Sequence, residues 1–209
     1  MKNGKSIMLI NLSHILGYEI QATDKPTGTV EDVYLDDILW SVRHVAIADA
    51  GGLGTQEASV EPKDLGILDA VTRRLHINLT HDQIAGGPDI SSDLPVSKQT
   101  GERGDHHLRS IREIKGYDVV ASDGAVGKLD DLIIGNDDWK IHFVVIETSI
   151  GGEHRKVLVG PGLIDHIKFD AKSVHLDLNS AHFADSPVYD PANPIEHSED
   201  VKLVGRVGI

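Results

Sequence analysis

From Gly17 onward apolar and polar residues alternate, with Tyr18, Ile20 and Ala22 set against Glu19 and Gln21. A period of two belongs to a half-buried strand, and Thr23-Asp24-Lys25-Pro26-Thr27-Gly28 supplies turn chemistry, so the stretch predicts a β-hairpin. On the returning strand Val30 falls on one parity and Val33 and Leu35 on the other. One extra residue near Glu31-Asp32 restores a single buried face and predicts a β-bulge. A turn around Asp36-Asp37 then leads through Trp40 into a third strand carrying Val45 and Ile47. Gly51, Gly52 and Gly54 mark a loop, and Ala58-Ser59-Val60 is a short strand stopped at Pro62, which cannot donate to a ladder. Residues 64–68 form a turn or a short extended piece. Leu75, Ile77 and Leu79 alternate with His76 and Asn78 in a last strand. Thr80-His81-Asp82-Gln83 has the form of a capping box and predicts a helix of one or two turns, ended by Gly86-Gly87-Pro88. Ahead of Gly17, the spacing of Leu12, Ile15 and Leu16 suggests a helical turn, and residues 7–10 a short strand or a leader to the first unit.

The same pattern occurs a second time, offset by 116 − 17 = 99 residues. Without a gap, Gly17, Tyr18, Asp24, Gly28, Asp32 and Trp40 match Gly116, Tyr117, Asp123, Gly127, Asp131 and Trp139. Leu129 against Leu132 and Ile134 repeats the change of parity and predicts a second bulge at Asp130-Asp131. Asn179 takes the N-cap position of the second closing helix. The chain is therefore expected to be mainly β, as two tandem small antiparallel β-barrels of about six strands each with short helical turns. The first covers residues 7–90 and the second residues 108–192. A polar linker spans 91–107, and a tail spans 193–209, of which 201–209 is apolar and has no counterpart in the first copy.

Composition narrows the function classes. Aromatic residues make up 4% of the chain, so Val, Ile and Leu must fill the cores. The formal net charge is −13 and neither half is basic. That argues against nucleic-acid partners and anionic lipid, both of which require an electropositive surface. There is no Cys, which excludes disulfides, thiolate zinc sites and cysteine nucleophiles. No apolar run approaches the length of a membrane span or a secretory signal, so no membrane insertion and a cytoplasmic location are expected.

Taken together, the helical turn over 12–16, Gly17-Tyr18, Asp24, Gly28, Asp32 and the closing element over 80–88, repeated in the second copy, resemble the PRC-barrel family. That domain is shared by the cytoplasmic part of the photosynthetic reaction-centre H subunit and the C-terminal part of the ribosome-maturation factor RimM. The resemblance implies a strongly bent β-barrel used for binding or assembly, with no catalytic residues to carry over.

Candidate chemistry is sparse. Glu31-Asp32 and Asp130-Asp131 have the composition of an acid/base pair, but neighbours on a strand face opposite ways, so structural duty at the bulge is expected. Asp36-Asp37 and Asp137-Asp138 lack the spacing of a calcium loop. Twelve histidines invite a metal reading, yet none stands at ligand spacing; His106-His107 falls in the linker, and His76 and His175 oppose the apolar faces of their strands. No metal, cofactor or catalytic residue is assigned. Trp40 and Trp139 are read as plugs at a barrel end. The expected function is that of a non-enzymatic scaffold acting through protein partners as a homodimer, its apolar tail covering a sheet edge. The alternative is a small-molecule or metal-binding protein, or an enzyme, with a site between the two domains.

Overall fold

The computed structural model describes residues 8–48, 58–87, 94–99, 106–152, 154–184 and 186–193. The glycine loop of the first copy, Pro88, most of the linker and the apolar tail lie outside the described residues. Among the described residues the protein is mainly β and holds two sheets of seven strands each.

Leu12–Glu113 form one compact unit, called the first; Met1–Asn11 together with Ile114–Ile209 form the second. The first unit carries β2 (Glu19–Gln21), β3 (Pro26–Asp36), β4 (Ser41–Ala48), β5 (Ala58–Val60), β6 (Leu65–Asp69), β7 (Arg74–Ile77) and β8 (Leu108–Ser110). Its strand order is β5-β4-β3-β2-β7-β6, with β8 on β3. The second unit carries β1 (Leu9–Asn11), β9 (Asp118–Ala121), β10 (Gly124–Gly135), β11 (Ile141–Thr148), β12 (Arg155–Val159), β13 (Ile164–Lys168) and β14 (Ser173–Leu176). Its order is β12-β11-β10-β9-β14-β13, with β1 on β10.

Two features differ from expectation. First, the leader strands are exchanged. The segment before the first repeat, β1, pairs antiparallel with β10 of the second (Leu9 opposite Gly135, Asn11 opposite Ile133). The segment before the second repeat, β8, pairs with β3 of the first (Leu108 opposite Asp36, Ser110 opposite Tyr34). The two registers superpose on the 99-residue offset. This seventh strand raises the expected count of about six, and it moves residues 9–11 and 108–113 out of the domains placed at 7–90 and 108–192. Second, the sheets are not wholly antiparallel. β2 pairs parallel with β7, and β9 with β14, because the hairpin-borne strand at the far end of each repeat returns beside its first strand in the same direction.

Both bulges fall where the parity change put them. Val30 faces Ile47 and Asp32 faces Ala46, which leaves Glu31 unpaired; Leu129 faces Ile146 and Asp131 faces Val145, which leaves Asp130 unpaired. Gly28 and Gly127 lie inside β3 and β10, not in the hairpin turn to which the sequence assigned them. A Cβ there would stand 2.0 Å from the carbonyl oxygen of Ala48 or of Glu147, so the crossing of two backbones excludes any side chain.

The closing helices are α1 (His81–Ala85) and α3 (Ala181–Ala184). α1 has the capping box, Thr80 Oγ1 accepting from the Gln83 amide and Gln83 Oε1 from the Thr80 amide. In the second unit Ser180, not Asn179, immediately precedes the helix. The Asn179 side chain is engaged instead by His182, with Oδ1 at 2.8 Å from Nδ1.

Each exchanged strand completes a core. Tyr34, Ala46 and Leu108 cluster in the first unit; their offset counterparts Ile133, Val145 and Leu9 cluster with Phe143 and Leu158 in the second. Leu94 packs on the first cluster and Tyr189 on the second, its hydroxyl donating to Asn11 Oδ1 at 2.8 Å. Part of the expected linker is therefore structural: a 3-10 turn over Val96–Lys98 brings Lys98 Nζ to 2.7 Å from the Tyr34 hydroxyl.

A fragment spanning Leu12–Glu113 holds every strand of one sheet and is expected to unfold cooperatively in urea. A fragment spanning 7–90 lacks β8 and is expected to show no cooperative transition by circular dichroism.

Candidate functional site

The bulge at Glu31 turns the next carboxylate inward, and Asp32 is buried. Its Oδ1 accepts from the Val33 amide at 2.8 Å and the Arg112 amide at 3.4 Å, and its Oδ2 from the Ser110 hydroxyl at 2.5 Å. Ser110 Oγ in turn accepts from the Glu113 amide at 3.2 Å, so it caps α2 (Ile111–Ile114) while fastening β8. Burial raises the Asp32 pKa, opposed by the Ser110, Val33 and Arg112 hydrogen bonds. In the second unit Asp131 is equally buried, with Oδ1 on the Leu132 amide at 2.8 Å, and the bulged Asp130 pairs with Lys156 at 2.6 Å. Glu31 is exposed, so the two members of the expected acid/base pair do not converge.

The other signature residues also have structural work. Asp24 Oδ1 accepts from the His81 amide at 2.8 Å, and Asp123 accepts from the Ser180 amide and hydroxyl, each at 2.7 Å. Each carboxylate thus ties the first hairpin to the start of the closing helix. The His81 amide holds the Asp24 pKa low, and the Ser180 hydroxyl that of Asp123. Gly17 and Gly116 take positive φ, and Tyr18 and Tyr117 are buried, the former beneath the Arg73 guanidinium at 5.2 Å.

The turn between β3 and β4 separates the repeats chemically. Asp36 Oδ1 accepts from the amides of Ile38 at 2.9 Å and Leu39 at 2.7 Å, and Oδ2 from Arg43 at 3.1 Å. Burial alone would raise the Asp36 pKa, but these amides and the guanidinium hold it low. Asp37 Oδ2 accepts from Arg109 Nε at 2.6 Å, and its Oδ1 lies 2.9 Å from His107 Nδ1. These bonds tie the backbone of the turn, which presents Ile38 and Leu39 at 63% and 68% exposure. The counterparts in the second unit are Asp137 and Asp138, both exposed, the latter accepting from the Lys140 amide at 3.0 Å and lying 3.0 Å from His142 Nε2. Trp139 is buried and Trp40 half-buried, both at positive φ in these turns. Sequence reading located the turn and its difference between the copies, but not that Ile38 and Leu39 stand where the second repeat has Asp137 and Asp138.

A stacked pair of imidazoles was also missed. His166 and His175 lie 4.4 Å apart between ring centroids, with 9° between planes. Asp165 Oδ2 stands 2.7 Å from His166 Nδ1, and Ser173 Oγ 3.0 Å from His175 Nε2. Burial lowers the His175 pKa, and the neighbouring His166 lowers it further. Beside the pair is an open cavity of about 580 Å³, lined in part by Ser122, Asp165, His175 and Asp177. The counterpart of His166 in the first repeat is Ile67. Among the described residues no three His, Asp or Glu side chains are grouped to hold a metal ion.

Residues 106–182 match the family model of the PRC-barrel domain. No curated protein matches the chain. Among the described residues no helix is long and apolar enough to cross a membrane.

Two outcomes are expected. Asp32→Ala strips three donors of their buried acceptor and costs about 3 kcal/mol, measured by urea unfolding. His175, with its folded pKa below the ordinary 6.5, takes up a proton more readily in the unfolded chain. Stability therefore falls as pH drops from 6.5 toward the folded value, and His166→Ile makes that slope shallower in melts run from about pH 8 to about pH 5.

Proposed function

We propose that this protein is a non-enzymatic scaffold that works through protein contacts and associates with a second copy of itself. The observation carrying this reading is the exposed Ile38-Leu39 pair of the first unit, whose amides are both held by Asp36. Solvent-exposed aliphatics on a turn fixed by hydrogen bonds suit contact with an apolar partner surface, because little conformational freedom remains to be lost on binding. Of the carboxylates with the composition of an acid/base pair, Asp32, Asp130 and Asp131 all accept hydrogen bonds from donors of their own unit, and Glu31 is exposed. An acid/base site instead needs groups converging on a pocket.

The test replaces Ile38 and Leu39 by the aspartates that the second repeat carries. The wild-type chain, immobilised against an extract of its host, is expected to retain one stoichiometric partner that the Ile38→Asp/Leu39→Asp chain does not. Equal retention by both, with unchanged melting, removes the turn from the contact. Sedimentation equilibrium of the wild type at micromolar concentration reads self-association directly, and a monomer there refutes the dimer.

A further inference from the structure

Two leader strands and two seats have the same register, so the chain has two ways to fill them. Either each strand crosses to the other repeat, or each pairs with its own. Backbone hydrogen bonding does not distinguish the two. The Asp37 amide donates to the His107 carbonyl at 3.0 Å, and the Asn136 amide donates to the Met8 carbonyl at the same distance.

The side chains at these positions are not alike. On the seat formed by β3, Asp37 pairs with Arg109 at 2.6 Å, with side chains only 5% and 9% exposed. His107 Nδ1 approaches the same carboxylate at 2.9 Å. On the seat formed by β10 the counterpart of Asp37 is Asn136, and the counterparts of His107 and Arg109 are Met8 and Ile10. Asn136 Oδ1 accepts from the Met8 amide at 3.1 Å. One seat is ionic and the other neutral, and each holds the strand that suits it.

We infer that the Asp37–Arg109 pair selects the exchanged connection: the β3 edge is a strand-binding seat specific for a basic leader, and it rejects the apolar leader of its own repeat. In the unexchanged arrangement Ile10 and Met8 would face Asp37, and Arg109 would be set against Asn136. Both buried charges would then lose their counter-ion. Breaking a buried ion pair in this way is strongly unfavourable, whereas the neutral seat discriminates little. The ion pair thus acts as a register and partner code, as polar groups do at strand and helix interfaces. The population of the unexchanged form is set back by more than about a hundredfold.

Cross-strand nuclear Overhauser contacts read the connection in the intact chain. The wild type is expected to show Asn11 with Ile133 and Ser110 with Tyr34. In Arg109→Ile/Ile10→Arg the guanidinium moves to the other leader, and the contacts are expected to become Asn11 with Tyr34 and Ser110 with Ile133. Retention of the wild-type contacts in that variant overturns the inference. Should it fail to fold, Asp37→Asn/Arg109→Ile gives the first seat the neutral character that the second already tolerates. Two coexisting sets of contacts are then expected, and a single exchanged set overturns the inference equally.

Discussion

A carboxylate buried at a bulge must be given donors, and Asp32 receives two of its three from a strand and helix turn that precede the other repeat. The bulge exists because a strand of eleven residues has to change which face it buries; the extra residue turns Asp32 into the interior. Once there, the carboxylate accepts from Ser110 and the start of α2, which fastens β8 at that edge. Leu108 then completes the cluster with Tyr34 and Ala46, and Leu94 packs against it. The first unit is therefore held by a sequence of dependencies that begins with one backbone irregularity.

Much of this was legible from the chain. The alternation at Tyr18, Ile20 and Ala22, the parity change at Val30 and Val33, and the capping box at Thr80 are local signals, and each maps onto one local geometry. The exchange was not legible, because Leu9–Asn11 and Leu108–Ser110 are three-residue strands whose side chains satisfy either seat in pattern. Choosing between seats depends on a charge pair 72 residues apart in sequence. The place of Gly28 was misread for a related reason. Its constraint is a carbonyl on a strand twenty residues later, and a turn-like composition nearby offered a simpler account.

Duplication has left the frame intact and changed what it displays. Asp24 and Asp123 both accept from the start of the closing helix, Gly28 and Gly127 both lie under a crossing carbonyl, and Asp32 and Asp131 are both buried at a bulge. Ile38-Leu39 against Asp137-Asp138, and Ile67 against His166, show where it has been relaxed. The second repeat is the more polar at these surface positions and carries the stacked imidazoles; the first carries the exposed aliphatic turn.

The crossing of β1 and β8 also bears on how such a chain can change in length. In an ordinary tandem array the unit lost by a deletion is the unit deleted. Here removal of either repeat with its leader would take away one sheet and, from the sheet that remains, its seventh strand and a donor to its buried carboxylate or core. A repeat deleted with its leader therefore leaves the other leader as the strand on offer to the empty seat: β8 for the neutral β10 edge, or β1 for the edge that carries Asp37.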